Sequence, residues 1–290
     1  MSQQKSRRRI EVTVLMSLYW RERPEWLRVA MESVWGQTAV PDEVVLVLDG
    51  PVGDELKEVV KDFEERSRAD EGRPEGERGP RLKVVRREQN GGLGRALNDG
   101  LRHCSHELVA RMDTDDIMHA DRLEQQYELM TAHPEVAASS AWVDEFIDDP
   151  AHPVSTRRLP EQDPQLRRFA MGRSPLNHPA VMFRRSAVEA AGGYEDFPLF
   201  EDYWLWARML ARGCKFYNIQ RSLLSFRWSA DTVRRRGGWS YACNEVRFQR
   251  RLCALGLTST ACAMKNIAIR FGVRVIPNRL REWIYSKLLR

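Results

Sequence analysis

Between residues 10 and 116 the chain alternates strand-like and helix-like segments at a spacing that suits a mainly parallel sheet wrapped by helices. Residues 10–16 are apolar and β-branched, the make-up of a buried strand. Pro24 stands where a helix opens, and Trp26, Val29, Ala30, Ser33 and Val34 then follow the spacing of one helical face. A second strand over 43–48 stops at Asp49-Gly50-Pro51. Leu56, Val59, Val60 and Phe63 mark a second helix, and the charged, Gly- and Pro-containing stretch 67–81 is expected as an exposed loop. A strand over 82–85, a helix through Leu93, Leu97 and Leu101, and a strand over 108–112 complete the series. That last strand runs directly into Asp113-Thr114-Asp115-Asp116. In open sheets of this kind ligands bind beyond the carboxyl ends of the strands, so Ser17, Tyr19, Asp49 and the aspartates are expected along one edge. The second half is less regular. Helices are expected over 121–132 and 202–212, strands over 136–143 and 180–184, and helical pattern resumes after Gly238 with Pro277 interrupting it.

A chain of 290 residues, 42% hydrophobic, can bury such a core without a metal or disulfide staple. The five cysteines are scattered and form no CxxC, which fits reduced, cytoplasmic usage. No run approaches the ~20 apolar residues of a membrane span, and the basic start of the chain lacks the apolar run of a secretory signal. Charge is unevenly placed. Residues 258–290 carry seven basic side chains against Glu282, a net +6, which leaves residues 1–257 at −1. A basic tail on a near-neutral body points to nucleic acid, a phospholipid surface or a phosphorylated substrate.

Three carboxylates within four residues repel one another unless a cation or solvent relieves them. At a strand end the cluster is either a site for a hard divalent ion shared with phosphate oxygens or a solvated turn that caps the next helix. Asn90-Gly91-Gly92-Leu93-Gly94-Arg95, between a strand and a helix, is either a plain helix-opening turn or one that lets backbone approach a phosphate or sugar. It matches neither the dinucleotide fingerprint nor a Walker loop. Glu201-Asp202 opens a helix, where acids serve as caps or, at such a junction, as a general base. A lone His178 between Asn177 and Pro179 reads first as a satisfied structural residue. Arg227-Trp228 and Arg234-Arg235-Arg236 make a basic patch, either a solvated loop or a diphosphate clamp.

The ordered set of these pieces resembles the family-2 glycosyltransferases of GT-A fold, over about residues 10–228. It comprises Val14-Leu15-Met16-Ser17-Leu18-Tyr19, Ser33-Val34-Trp35-Gly36-Gln37-Thr38, Val47-Leu48-Asp49-Gly50, Asn90-Gly91-Gly92-Leu93 with Ala96-Leu97-Asn98-Asp99-Gly100, Arg111-Met112-Asp113-Thr114-Asp115-Asp116 with Asp121-Arg122-Leu123, Asn177-His178-Pro179, Gly192-Gly193-Tyr194 and Glu201-Asp202-Tyr203. Within the family the chain is similar to bacterial amylovoran-type exopolysaccharide glycosyltransferases, and there the similarity continues into the tail. The resemblance implies an α/β GT-A fold, a Rossmann-like mainly parallel sheet flanked by helices. It divides the chain into a disordered basic N-terminus (1–9), a glycosyltransferase domain (10–228, with a nucleotide-sugar half 10–116 and an acceptor half 117–228) and a helical extension (229–290).

The implied activity is inverting transfer of a sugar from a nucleotide-diphosphate donor to a hydroxyl of a glycan or lipid-linked acceptor. It also implies a divalent cofactor, Mn²⁺ or Mg²⁺, held first by Asp115 with Asp113 and Asp116. Asp113 is further expected to meet the donor's ribose or sugar. Ser17, Tyr19, Asp49, Asn90, Arg95, Asn98 and Glu201 are assigned to substrate, and Asp202 to the catalytic base. The QxxRW motif of processive synthases is incomplete here: Leu224 occupies the position of its Gln, ahead of Arg227-Trp228. With no membrane span, that favours single-sugar addition. A sugar-nucleotide-forming nucleotidyltransferase is the alternative, but residues 17–24 lack the glycine-rich basic loop it requires. A nucleic-acid-binding module is disfavoured by the acidic cluster at the sheet edge. The enzyme is expected in the cytoplasm, and the apolar stripe Ile276, Leu280, Trp283, Ile284 and Leu288 with its flanking basic residues either holds it to the inner face of the membrane or packs on the catalytic domain.

Overall fold

The alternating half forms as its spacing requires. In a computed structural model, which describes residues 7–74, 77–228 and 239–275, it reads β1 (Arg8–Leu18), α1 (Pro24–Trp35), β2 (Ala39–Leu48), α2 (Asp54–Asp70), β3 (Arg81–Arg86), α3 (Leu93–Leu101) and β4 (Leu108–Asp113). These four strands run parallel in the order β3-β2-β1-β4, with Ser17 paired in register to Asp113 and Leu18 to Leu48. The expected edge therefore exists. β1 starts two residues before Ile10, and residues 1–6 lie outside the described residues.

Two local expectations change. α1 buries Leu27, Ala30, Met31, Val34 and Trp35, whereas Val29 is 43% exposed. Two overlapping stripes of this helix satisfy helical periodicity, and only the position of the sheet chooses between them. Residues 67–81 are not all loop. α2 continues to Asp70, whose buried carboxylate accepts from Gly79 N at 3.0 Å, while the Ser67 hydroxyl accepts from Leu82 N at 2.9 Å. The charged composition is thus partly internal bracing.

The second half adds β5 (Ile117–Met118), α4 (Arg122–Ala132), β6 (Val136–Phe146), β7 (Ser155–Arg157), α5 (Asp163–Phe169), β8 (Met182–Arg184), α6 (Arg185–Ala190), α7 (Glu201–Ala211) and β9 (Lys215–Arg227). β8 joins β4 antiparallel, then β6, β9 and β5 follow across the same sheet. The 13-residue β9 escapes sequence reading because its pairing with β6 shifts register around Trp142, which breaks the period-2 signal. Arg122 is wholly buried and pins the halves together. It donates to Gln126 Oε1 at 2.9 Å and to the carbonyls of Pro179, Arg111 and Val181 at 3.0, 2.8 and 3.1 Å. Burial, aided by the nearby Arg111, pulls its pKa down to about 9.

Two further helices, α8 (Trp239–Ala254) and α9 (Thr260–Val275), follow. α8 packs Tyr241, Phe248 and Leu252 against Phe197, Phe200, Tyr203 and Trp204, so it buttresses the chain entering α7. α9 is amphipathic in the reverse sense. Its inward face is polar: Asn266 donates to Met171 O at 2.9 Å and to Gln249 Oε1 at 3.1 Å, and Arg270 pairs with Glu245 at 2.9 Å. Met264 and Ile269 point outward at 65% and 54% exposure, and Trp239 of α8 is 67% exposed. No helix among the described residues is long and apolar enough to cross a membrane. The stripe from Ile276 to Leu288 and the run Arg234 to Arg236 lie outside the described residues.

Candidate active site

β4 ends on Asp113, and the turn beyond it gathers the three carboxylates. One oxygen from each of Asp113, Asp115 and Asp116 lies within 4.8 Å of the others. The three are neutralised to different degrees. Asp113 is gripped by both terminal nitrogens of the buried Arg111. Asp116 has no solvent exposure; its Oδ1 accepts from Arg227 N at 2.9 Å, while Oδ2 is buried with no hydrogen-bond partner. Burial, then Asp115 and Asp113, push its pKa well up. Asp115 is raised to about 7, first by burial and then by Asp113 and Glu22. A buried orphan carboxylate oxygen beside two further carboxylates fits a hard divalent ion, and Asp115, with no arginine fork of its own, is the best-suited first ligand. Glu22, itself raised by burial, accepts the Thr114 hydroxyl at 2.9 Å and ties the loop after β1 to this turn. Ser17 and the half-buried Tyr19 flank it.

Asp49, at the end of β2, lies 2% exposed beneath the glycine-rich turn. Its two oxygens accept from Gly91 N at 2.9 Å and Gly92 N at 3.0 Å, and Arg87 pairs with it. Asn90 donates to Asp49 O at 3.1 Å. Gly50 has φ of +87°, and a Cβ there would lie 2.6 Å from Asn90 N. Only glycine lets the two turns close on each other. In these contacts Asp49 fixes the loop. Asn98 likewise gives both amide atoms to the backbone of Tyr194, at 2.7 and 2.8 Å, and Arg95 stands exposed with Asp196 at 3.3 Å. Sequence reading assigned Asp49, Asn90, Asn98 and Arg95 to substrate; in these contacts Asp49, Asn90 and Asn98 also brace the backbone, and Arg95 meets Asp196.

Leu199, just before α7, holds φ of +71°, an uncommon conformation for a non-glycine residue. The following Phe200 is locked by Phe248 of α8. Glu201 and Asp202 then occupy the first helical turn, both half-buried, and burial raises Glu201. The buried Tyr194 hydroxyl lies 2.9 Å from His178 Nε2, and burial, then Asp202 and Asp113, push its pKa up. His178 is buried and held well below its usual pKa by burial and by Arg111, so it is the neutral structural residue expected. Sequence reading gave no role to Arg111, Glu22, Arg87 or Tyr194. Glu22, Arg87 and Tyr194 meet partners 92, 38 and 16 residues away, which no spacing signals, whereas Arg111 pairs with Asp113 two residues on along β4.

The family model "Glycosyl transferase family 2" matches residues 13–192. The chain is 37% identical, over 96% of both sequences, to the UDP-Gal:alpha-D-GlcNAc-diphosphoundecaprenol beta-1,3-galactosyltransferase of Escherichia coli. It is 39% identical, over 95% of this chain and 98% of the relative, to the amylovoran biosynthesis glycosyltransferase AmsE of Erwinia amylovora. Among solved structures it resembles S. aureus TarS in complex with UDP-GlcNAc (TM-score 0.61, 15% identity, covering 97% of this chain and 72% of that one). It also resembles the Pyrobaculum calidifontis mannosyltransferase PcManGT in complex with GDP-Man and Mn²⁺ (TM-score 0.60, 18% identity, 98% and 81%). These structural likenesses carry the GT-A fold.

Proposed function

The chain belongs to glycosyl transferase family 2, and on that premise we propose that it adds one sugar, with inversion, from a nucleoside-diphosphate donor to a hydroxyl of a lipid-linked sugar diphosphate. The observation that carries this reading is the turn after β4, where Asp113, Asp115 and Asp116 each place an oxygen within 4.8 Å of the others and one Asp116 oxygen is buried without a hydrogen-bond partner. Asp115, with Asp116 and Asp113, would hold a divalent ion whose charge offsets that of the departing diphosphate. Arg111 orients Asp113 through its two terminal nitrogens. Asp202 takes the proton from the acceptor hydroxyl as it attacks the anomeric carbon from the face opposite the leaving group. Ser17, Tyr19, Asp49, Asn90 and Arg95 border the donor, Glu201 and Asn98 shape the acceptor side, and the broken QxxRW pattern supports single addition. The acceptor class is suggested by the name of the E. coli relative.

A thermal-shift panel of nucleotide sugars tests this. One nucleotide-sugar class should stabilise the protein in the presence of Mn²⁺, by about 2.7 kcal/mol at a hundred times its Kd. If no nucleotide sugar does so, and the protein instead releases diphosphate from a nucleoside triphosphate and a sugar phosphate, the nucleotidyltransferase alternative replaces this reading.

We also read the enzyme as cytoplasmic and peripheral on the membrane. The exposed apolar side chains Met264 and Ile269 of α9 and Trp239 of α8 support this. Residues 246–281 hold eight basic side chains and no acidic one. Apolar contact and roughly 1 kcal/mol per basic residue near an anionic surface favour binding. Co-sedimentation with anionic liposomes should weaken with salt and fall several-fold in Met264→Asp/Ile269→Asp. Equal recovery of variant and parent would remove this face from membrane binding.

A further inference from the structure

The turn between β1 and α1, Trp20-Arg21-Glu22-Arg23, turns its acid inward and its bases outward. Glu22 closes the turn by donating its N–H to Tyr19 O at 3.1 Å and holds Thr114 with its carboxylate. Arg21 and Arg23 are exposed. Each lies against an indole: the Arg21 guanidinium carbon is 4.5 Å from the centroid of Trp20, and that of Arg23 is 4.5 Å from Trp26. Arg227 meets the same Trp26 at 4.8 Å and Phe146 at 4.6 Å. Arg227 is already committed to the carboxylate turn, its N–H to Asp116 and its Nε to Asp115 O at 3.1 Å. Arg21 and Arg23 are not. Among the described residues Arg21 forms no ion pair, and Arg23 has only Glu25 at 4.0 Å, with both side chains more than 60% exposed.

Two guanidinium groups on one ring repel, and α1 starts here with no side-chain cap. The local field therefore favours an anion. The indole contacts hold Arg21 and Arg23 in place while both side chains stay exposed, so their guanidinium N–H groups are available to phosphate oxygens. The position matters as well: Glu22 stands between these arginines and the acidic cluster to which the donor's diphosphate is assigned.

We propose that Arg21 and Arg23, backed by Trp20 and Trp26, form a subsite for the diphosphate of the acceptor; this rests on the acceptor reading above. Diphosphate chemistry is common to donor and acceptor, so the test has an arm for each. Transfer is compared on an alkyl-diphospho-sugar and on the matching alkyl glycoside, and donor affinity is measured by titration of the nucleotide sugar. The parent protein should prefer the diphosphate acceptor. Arg21→Gln/Arg23→Gln should lose about tenfold or more of that preference through acceptor KM, with donor affinity within about twofold of the parent. Arg21→Lys/Arg23→Lys should recover part of it, since charge returns without the fork. If the Gln variant keeps the parent's preference, or loses donor affinity by the same factor, the subsite is wrong while the acceptor reading stands. A parent protein indifferent to the diphosphate overturns the acceptor reading, and the subsite with it.

Discussion

Asp202→Asn is expected to lower sugar transfer by about 10²–10⁴-fold while nucleotide-sugar binding survives. The substitution keeps the size and shape of the side chain in the first turn of α7 and removes only its capacity to take a proton. The surroundings should hold: Phe248 still locks Phe200, and Asn98 still clamps Tyr194. Two measurements separate chemistry from binding. Single-turnover transfer should collapse, while the thermal shift given by donor and Mn²⁺ should match the parent. A variant that retains more than about a tenth of the rate would move the base to Glu201 or another acid. Loss of donor binding would instead make Asp202 part of the donor site.

Asp115→Ala is expected to abolish the stabilisation that Mn²⁺ and donor give together, a loss of about 2.7 kcal/mol at a hundred times the parent's Kd. The fold should persist, because Asp115 braces nothing that Arg111, Glu22 and Arg227 do not also hold. The pH dependence has a definite sign. In the metal-free protein the folded pKa of Asp115 is raised to about 7 from 3.8, so the neutral acid is the form that folding favours. Metal-free stability should therefore fall as pH rises from about 4 through about 7. A bound cation requires the ionised carboxylate, so Mn²⁺ stabilisation should grow over the same range. In Asp115→Ala both trends should shrink. Full metal-dependent activity in the variant would remove Asp115 from the ligand set.

Much of this was written in local pattern. Apolar β-branched runs separated by helical stripes dictate parallel strands β1 to β4, because β1, β2 and β4 are buried on both faces and must be covered by helices. Strand ends then place Ser17, Asp49 and Asp113 on one edge without any knowledge of the fold's details. The carboxylate cluster was legible for the same reason: mutual repulsion over four residues is a property of the sequence itself.

The tertiary structure decided what depends on partners far along the chain. The stripe through Val29 and the stripe through Leu27 are equally good helical faces, and only packing on the sheet buries the second. β9 acquires strand form from β6 across irregular register, which no alternation announces. The individual roles of the aspartates were likewise undecided until Arg111 gripped Asp113, Arg227 reached Asp116 across 111 residues, and burial beside these two raised Asp115. Residue type and spacing determine which groups meet at an edge. Which charge each group keeps is set by burial and by the cation beside it, and these exist only once the chain has closed on itself.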